Sequence, residues 1–138
     1  MIRLGNRKNM TRKNKILVIE DHDSIRMLLS NFLSKDFDVV TKSDGFEGLA
    51  WLSSGNIPDF ILLDYDMPRI NGLEFLKNIR TSGFFHSIPV ILVTAEENEE
   101  LKAECREYGI TDFLLKPFNP IKLREKIQKV LASPPKSI

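Results

Sequence analysis

The chain has 138 residues, 42% hydrophobic and 28% charged, with a formal net charge of +1. That is one globular domain with a sizeable core, and its ordinary balance points to a soluble protein. No apolar run approaches the ~20 residues of a membrane span, the N-terminus lacks the apolar segment of a signal peptide, and a single cysteine excludes an internal disulfide and fits a reducing, cytoplasmic setting.

The charge is uneven. Residues 1–15 carry Arg3, Arg7, Lys8, Arg12, Lys13 and Lys15 and no acid, which leaves 14 basic and 19 acidic residues in the remainder. The expected organisation is a basic, disordered leader over 1–14, one domain over 15–132 and a short tail over 133–138. A nucleic-acid footprint needs a basic face on the domain itself. This domain is acidic, so no direct DNA binding is expected.

In chain order, the β-branched run over 15–19 reads as a buried strand ending in Glu20-Asp21-His22-Asp23. Ser24 is placed to cap a helix carrying Ile25, Leu28, Leu29, Phe32 and Leu33 on one side, to about residue 35. A second strand covers 37–41. Asp44 and Glu47 have capping-box spacing and open a second helix that stops at Ser54-Gly55-Asn56. Phe60 to Leu63 is an unbroken apolar run ending in Asp64, as in a strand buried on both faces of a parallel sheet. Asn71-Gly72 starts a third helix with Leu73, Leu76 and Ile79. A fourth strand over 90–93 closes in Thr94-Ala95, and an acid-rich helix runs over 96–107 to Gly109. A fifth strand over 112–115 closes in Lys116-Pro117, and Pro120 opens the last helix.

Five strands alternating with five helices imply a doubly wound, flavodoxin-like parallel sheet, with strand order 2-1-3-4-5. All carboxyl ends of a parallel sheet lie along one edge. Glu20-Asp21, Asp64, Thr94 and Lys116 therefore converge, although they are far apart in sequence. Three carboxylates at one point repel unless a cation sits among them. Oxygen donors favour a hard ion such as Mg²⁺, and Mn²⁺ suits the same donors. A carboxylate nucleophile, a hard cation, an ammonium and a hydroxyl suit phosphoryl transfer to Asp64.

Glu20-Asp21, Asp64 with Met67-Pro68 and Asn71-Gly72, Thr94-Ala95, and Lys116-Pro117-Phe118 resemble the signature of response-regulator receiver domains of two-component signalling, in the single-domain, chemotaxis-regulator-like form. The match runs from about Lys15 to Leu131. The resemblance implies that Asp64 accepts a phosphoryl group from a sensor histidine kinase or a histidine phosphotransfer protein. It implies Mg²⁺ on Asp21, Asp64 and the backbone carbonyl of Asp66, with Glu20 acting through water. By the same resemblance, Thr94 and Lys116 are expected to contact phosphoryl oxygens and the Lys116-Pro117 bond to be cis. Phe113 occupies the family's switch-aromatic position, and the resemblance implies that Thr94 and Phe113 would remodel the face of the fourth helix, fifth strand and fifth helix for an output protein. Asp66 and Glu96 stand where the family tunes autodephosphorylation. The implied protein is a phospho-accepting switch with self-phosphorylation and autodephosphorylation, not an enzyme.

This sequence departs from the family pattern in detail. Glu20 replaces an Asp, Phe113 a Tyr, and Tyr108 a small residue. His22 reads as a solvated loop histidine, Cys105 as a small buried hydrophobe, and Phe46 and Trp51 as core edge. Competing readings are a degenerate receiver serving as an interaction module, a haloacid-dehalogenase-like phosphatase built on Asp64 and Asp66, and a flavin-binding flavodoxin. The complete acid, Thr and Lys set opposes the first. The acid pair's place on the third strand of a small domain opposes the second. The lack of a glycine- and hydroxyl-rich phosphate loop after the first strand opposes the third.

Overall fold

The computed structural model describes residues 12–132, so most of the leader and the whole tail lie outside the described residues. Five strands form one parallel sheet: β1 (Lys15–Ile19), β2 (Asp38–Lys42), β3 (Phe60–Asp64), β4 (Val90–Thr94) and β5 (Asp112–Leu115). Their order is β2-β1-β3-β4-β5, the expected flavodoxin-like arrangement. The helices between and after them are α1 (Asp23–Leu33), α2 (Gly45–Ser53), α3 (Gly72–Arg80), α4 (Glu99–Glu107) and α5 (Pro120–Ala132).

The period of two in each strand sorts its apolar side chains between two cores. Ile16, Val18, Phe60, Leu62, Ile91 and Val93 pack with Leu29 and Leu33 of α1 and Leu123 and Ile127 of α5. Leu17, Ile19, Ile61, Leu63, Val90 and Leu92 pack with Leu52 of α2, with Leu73, Phe75, Leu76 and Ile79 of α3, and with Leu101 and Cys105 of α4. β3 and β4 are buried along their whole length. That explains why they read as continuous apolar runs rather than alternating ones.

Helix starts differ from the sequence expectations in three places. His22, not Ser24, is the N-cap of α1, and it makes no side-chain cap bond. Asp44 caps α2 by accepting from the Glu47 amide. Glu47 reaches one residue further back, to the amide and hydroxyl of Ser43, so the reciprocal box is displaced. The complete capping box belongs to α3, between Asn71 and Glu74. α4 begins at Glu99 because Asn98 accepts from the Leu101 amide. A short polar side chain that can bond the third amide on wins the cap, and Glu96 and Glu97 are left in the β4–α4 loop.

Gly72 is where α3 meets the sheet most closely. Its amide donates to the Tyr65 carbonyl at 3.0 Å. A Cβ there would lie 2.8 Å from the Tyr65 Cα, 3.0 Å from the Asp64 carbonyl oxygen and 2.6 Å from Leu92 Cδ1. Two of those neighbours are backbone, so relief requires moving the helix away from the end of β3. Gly72→Ala is expected to lower unfolding free energy in urea by about 1–3 kcal/mol, the usual cost of overpacking. Gly83→Ala, with nothing within 4 Å of the new methyl, is the control, expected to change stability by no more than about 0.5 kcal/mol.

Candidate functional site

The register sets the site. Ile19 pairs with Leu63, Asp64 with Val93, and Thr94 with Leu115. Glu20, Asp64, Thr94 and Lys116 therefore lie within about one residue of a common level across neighbouring strands, which are ~4.8 Å apart. Glu20 and Asp64 flank the gap between β1 and β3, where the winding direction of the sheet reverses. That switch point is where open α/β sheets bind ligands.

The first strand's end is fixed from both sides. The Glu20 amide donates to the Lys42 carbonyl, which carries β1 one residue further along β2. The Glu20 carbonyl accepts from the Arg26 guanidinium at 2.9 Å. The Glu20 side chain is buried. Its Oε2 accepts from the His22 amide at 3.1 Å and lies 2.9 Å from His22 Nδ1, while Oε1 is 3.8 Å from Lys116 Nζ. Asp21 Oδ1 lies 3.3 Å from His22 Nδ1 but makes no hydrogen bond.

Asp64 is 1% exposed. Its Oδ1 meets Lys116 Nζ at 3.0 Å and accepts from the Asp66 amide at 3.3 Å. Its Oδ2 is buried without a partner. One donor atom from each of Glu20, Asp21, His22 and Asp64 lies within 4.8 Å of the others, so this cluster could hold a metal ion. The Lys116–Pro117 peptide is cis.

Thr94 is buried. Its hydroxyl accepts from the Glu96 amide at 3.3 Å, which ties it to the loop that leads into α4. Asp66 and Glu96 are both exposed. Phe113 lies one element away, partly buried against the core of α2, α3 and α4. Lys102 and Arg106 of α4 each lie 5.8 Å from its ring centre. Two supports escaped the sequence reading, Arg26 behind Glu20 and Arg69 in the loop after β3. Arg69 has a left-handed backbone, φ 70°. Its guanidinium pairs with the buried Asp44 and covers the Phe46 ring, so the half-exposed Phe46 serves this loop. Neither arginine has a fixed spacing to the residue it supports, so nothing in the sequence marked them.

The family model described as "response regulator receiver domain" matches residues 16–128. The chain belongs to the response regulator receiver domains. It is similar to the chemotaxis protein CheY-3 of Vibrio cholerae, 33% identical over 126 residues that span 89% of this chain and 92% of that protein. It is also 32% identical over 124 residues to hybrid signal transduction histidine kinase D of Dictyostelium discoideum, of which it spans only 8%. Among solved structures, CheY4 of Vibrio cholerae superposes with a TM-score of 0.80 at 35% identity, covering 86% of this chain and 98% of that one. The receiver assignment displaces the phosphatase and flavodoxin readings.

The electrostatics of the receiver site turn on Asp64. Burial raises its pKa from 3.8 to about 7, the Glu20 charge adds to this, and the Lys116 ammonium opposes it. Burial disfavours the Lys116 ammonium too, but the bond to Asp64 and the surrounding acids outweigh that and raise its pKa. Cys105 sits apart from the site, and burial pushes its thiol up to about 11, as suits a packing residue.

In the metal-free domain the folded state thus holds a proton on Asp64 that the unfolded chain releases near pH 4. An acid with a raised folded pKa withdraws stability as pH climbs from about 4 to 7, and the loss then levels off. Asp64→Asn removes this penalty. With EDTA present, the variant is expected to melt several degrees above the parent at pH 8, since about 1 kcal/mol moves a domain of this size by about 4 °C. The difference should shrink steadily below pH 7. Thermal melts from pH 4.5 to 8.5 check both the sign and the window.

Proposed function

We propose that this receiver domain works as a phospho-accepting switch with Asp64 as the acceptor. The observation that carries the reading is the buried Asp64 carboxylate at the sheet's switch point, with an ammonium 3.0 Å from one oxygen and the other oxygen without a partner. A buried charge left half satisfied is costly, and a site built to meet a cation and a phosphoryl group accounts for it.

The residues suit a divalent cation. Asp21 Oδ1 and Asp64 Oδ2 are the two unpartnered acid oxygens of the cluster. Asp21, Asp64 and the Asp66 backbone carbonyl would hold Mg²⁺, or Mn²⁺ in its place, with Glu20 acting through a water. When bound, the ion supplies positive charge that neutralises phosphoryl oxygens. Asp64 Oδ1, on the Lys116 side, attacks the phosphorus of a phosphohistidine. The new O–P bond forms as the donor's N–P bond breaks. The electron pair leaves on the donor imidazole, which takes up a proton. Lys116 passes from Asp64 Oδ1 to the phosphoryl oxygens, and the Thr94 hydroxyl donates to one of them.

That donation takes the Thr94 hydroxyl away from its contacts with Glu96, so the β4–α4 loop must follow. The loop leads directly into α4, whose Lys102 and Arg106 cover Phe113. The output surface proposed on this basis is the face of α4, β5 and α5. The phosphodonor is a sensor histidine kinase or a histidine phosphotransfer protein. The hybrid kinase match and the free-standing chemotaxis relatives are compatible with a domain that serves either inside a longer protein or alone. A receiver acting only as an interaction module would need no partnerless acid oxygens and no half-buried ammonium at this point.

Incubation with acetyl phosphate and Mg²⁺, followed by intact-mass spectrometry, should show one added phosphoryl group, absent in Asp64→Asn and strongly reduced in Lys116→Ala. Modification that persists in Asp64→Asn sinks the assignment. Asp66 and Glu96 are proposed to set how long the acyl phosphate survives, by orienting or repelling the attacking water at the exposed mouth of the site. Replacing both with neutral residues should change the decay rate of the phosphorylated domain by about tenfold or more, a typical scale for one general acid–base or electrostatic contribution. An unchanged decay would remove both residues from the mechanism.

A further inference from the structure

His22 gives the proposed cation site a nitrogen donor in addition to its oxygens. It is the N-cap of α1, yet its side chain caps nothing. The imidazole turns back toward the acids instead, with Nδ1 at 2.9 Å from Glu20 Oε2 and 3.3 Å from Asp21 Oδ1. Nδ1 is thus in contact with both acids, and one ring nitrogen of His22 belongs to the 4.8 Å cluster that includes Asp64. The second observation is independent of the acids' clustering. Asp64 Oδ2 is unpartnered in a side chain only 1% exposed, and Asp21 Oδ1 is unpartnered beside it. Neither oxygen has a hydrogen-bond partner, and the His22 ring stands 3.3 Å from Asp21 Oδ1.

Donor type decides which ions respond to the imidazole. Mg²⁺ prefers oxygen and keeps its waters, so a ring nitrogen adds little to its binding. Late first-row divalent ions bind imidazole well, in the order Co²⁺, Ni²⁺, Cu²⁺, with Zn²⁺ also favoured. We propose that the receiver site is bispecific. Mg²⁺ binds through oxygens alone, and ions such as Ni²⁺, Co²⁺ and Zn²⁺ bind with His22 Nδ1 as a further ligand to Asp21 and Asp64. This rests on the reading that Asp21 and Asp64 hold the cation. The Nδ1 contact with Glu20 opens when the ion is taken up, and Glu20 keeps the His22 amide as its partner.

The competing role for His22 is purely positional, holding Glu20 in place by its hydrogen bond. The two roles separate by ion. A ligand matters only to ions that bind imidazole, whereas a positioning residue matters to all of them.

The test titrates the whole chain with MgCl₂ and, separately, NiCl₂ by calorimetry at pH 8, for the parent, His22→Ala, His86→Ala and Asp21→Asn. His22 is exposed, so the fold should tolerate its loss; a metal-free melt verifies this. His22→Ala is expected to weaken Ni²⁺ by about tenfold or more, the low end of what losing a metal-site partner costs, and to leave Mg²⁺ within about twofold. The Co²⁺ complex should also change its visible absorption bands when His22 is removed. Equal weakening of Mg²⁺ and Ni²⁺ makes His22 positional and overturns the proposal, and so does unchanged Ni²⁺ affinity. His86 lies elsewhere, with Nδ1 against the Gly83 carbonyl. A comparable Ni²⁺ loss in His86→Ala would place the nickel there and also overturns it. Asp21→Asn tests the underlying cation site independently. If Mg²⁺ binding survives that change, the cation reading fails, whatever His22 does.

Discussion

The arrangement depends on keeping one carboxylate out of water. Asp64 ends a strand buried on both faces, so the sheet that positions it also desolvates it. Desolvation is the largest influence on its proton affinity, ahead of the neighbouring Glu20, and the Lys116 ammonium only partly compensates. A fully paired Asp64 would be a structural ion pair with nothing left to offer. Lys116 takes one oxygen and leaves the other bare. The site is therefore held short of satisfaction, with the lysine reaching in from the end of β5, on the far side of β4, to one oxygen only. The unfavourable term is local, and the two cores on either side of the sheet carry it.

Those cores also explain why the site's walls differ in stiffness. The β1 end is fixed by strand pairing to β2 and by the Arg26 bond to the Glu20 carbonyl. The β3–α3 loop is fixed at Gly72 by close backbone contact and at Arg69 by a buried acid. Arg69 holds a left-handed backbone that costs an L residue about 1 kcal/mol or more, and the Asp44 pair and the Phe46 ring face offset it. Asp44 also caps α2, so one buried carboxylate couples the start of that helix to the loop beside Asp64. The β4–α4 loop is anchored instead by side-chain contacts, the Glu97–Lys102 pair and the Asn98 cap. Its residues from Ala95 to Asn98 are exposed, and the Thr94 hydroxyl holds it through two long hydrogen bonds to Glu96, accepting from the amide and donating to the carbonyl. The wall best able to move is the one that leads to α4.

Much of this was legible in the sequence, for physical reasons. Strand burial on two faces writes an unbroken apolar run, and helix burial on one face writes a period of 3.6. Parallel topology then brings strand ends together whatever their separation in the chain, so Glu20, Asp21, Asp64, Thr94 and Lys116 could be grouped without coordinates. Cap residues were less legible. Several polar residues stand near each helix start, and which one wins depends on backbone angles that tertiary packing sets, as Asn98 and His22 show. Side-chain supports were least legible. Arg69 meets Asp44 across 25 positions, and no local pattern encodes such a pairing. His22 read as solvated because a histidine among acids with no second histidine resembles many loop residues. His22 is indeed exposed, and what no sequence pattern marks is the turn of its ring from the helix it caps toward the carboxylates.

The β4–α4 loop and Phe113 can be treated as one unit. Glu97, in that loop, pairs with Lys102 at 3.0 Å, and Lys102 shares the Phe113 ring with Arg106. A ring without a hydroxyl cannot be held in either orientation by an oxygen bond, so cation–ring attraction is the polar interaction left to it. Each such contact contributes on the order of 0.5–1 kcal/mol where partly exposed. Displacing the loop strains the Glu97–Lys102 pair and with it one of the two cations over the ring. Thr94, Glu96, Glu97, Lys102 and Phe113 thus form one connected path from the end of β4 to the ring.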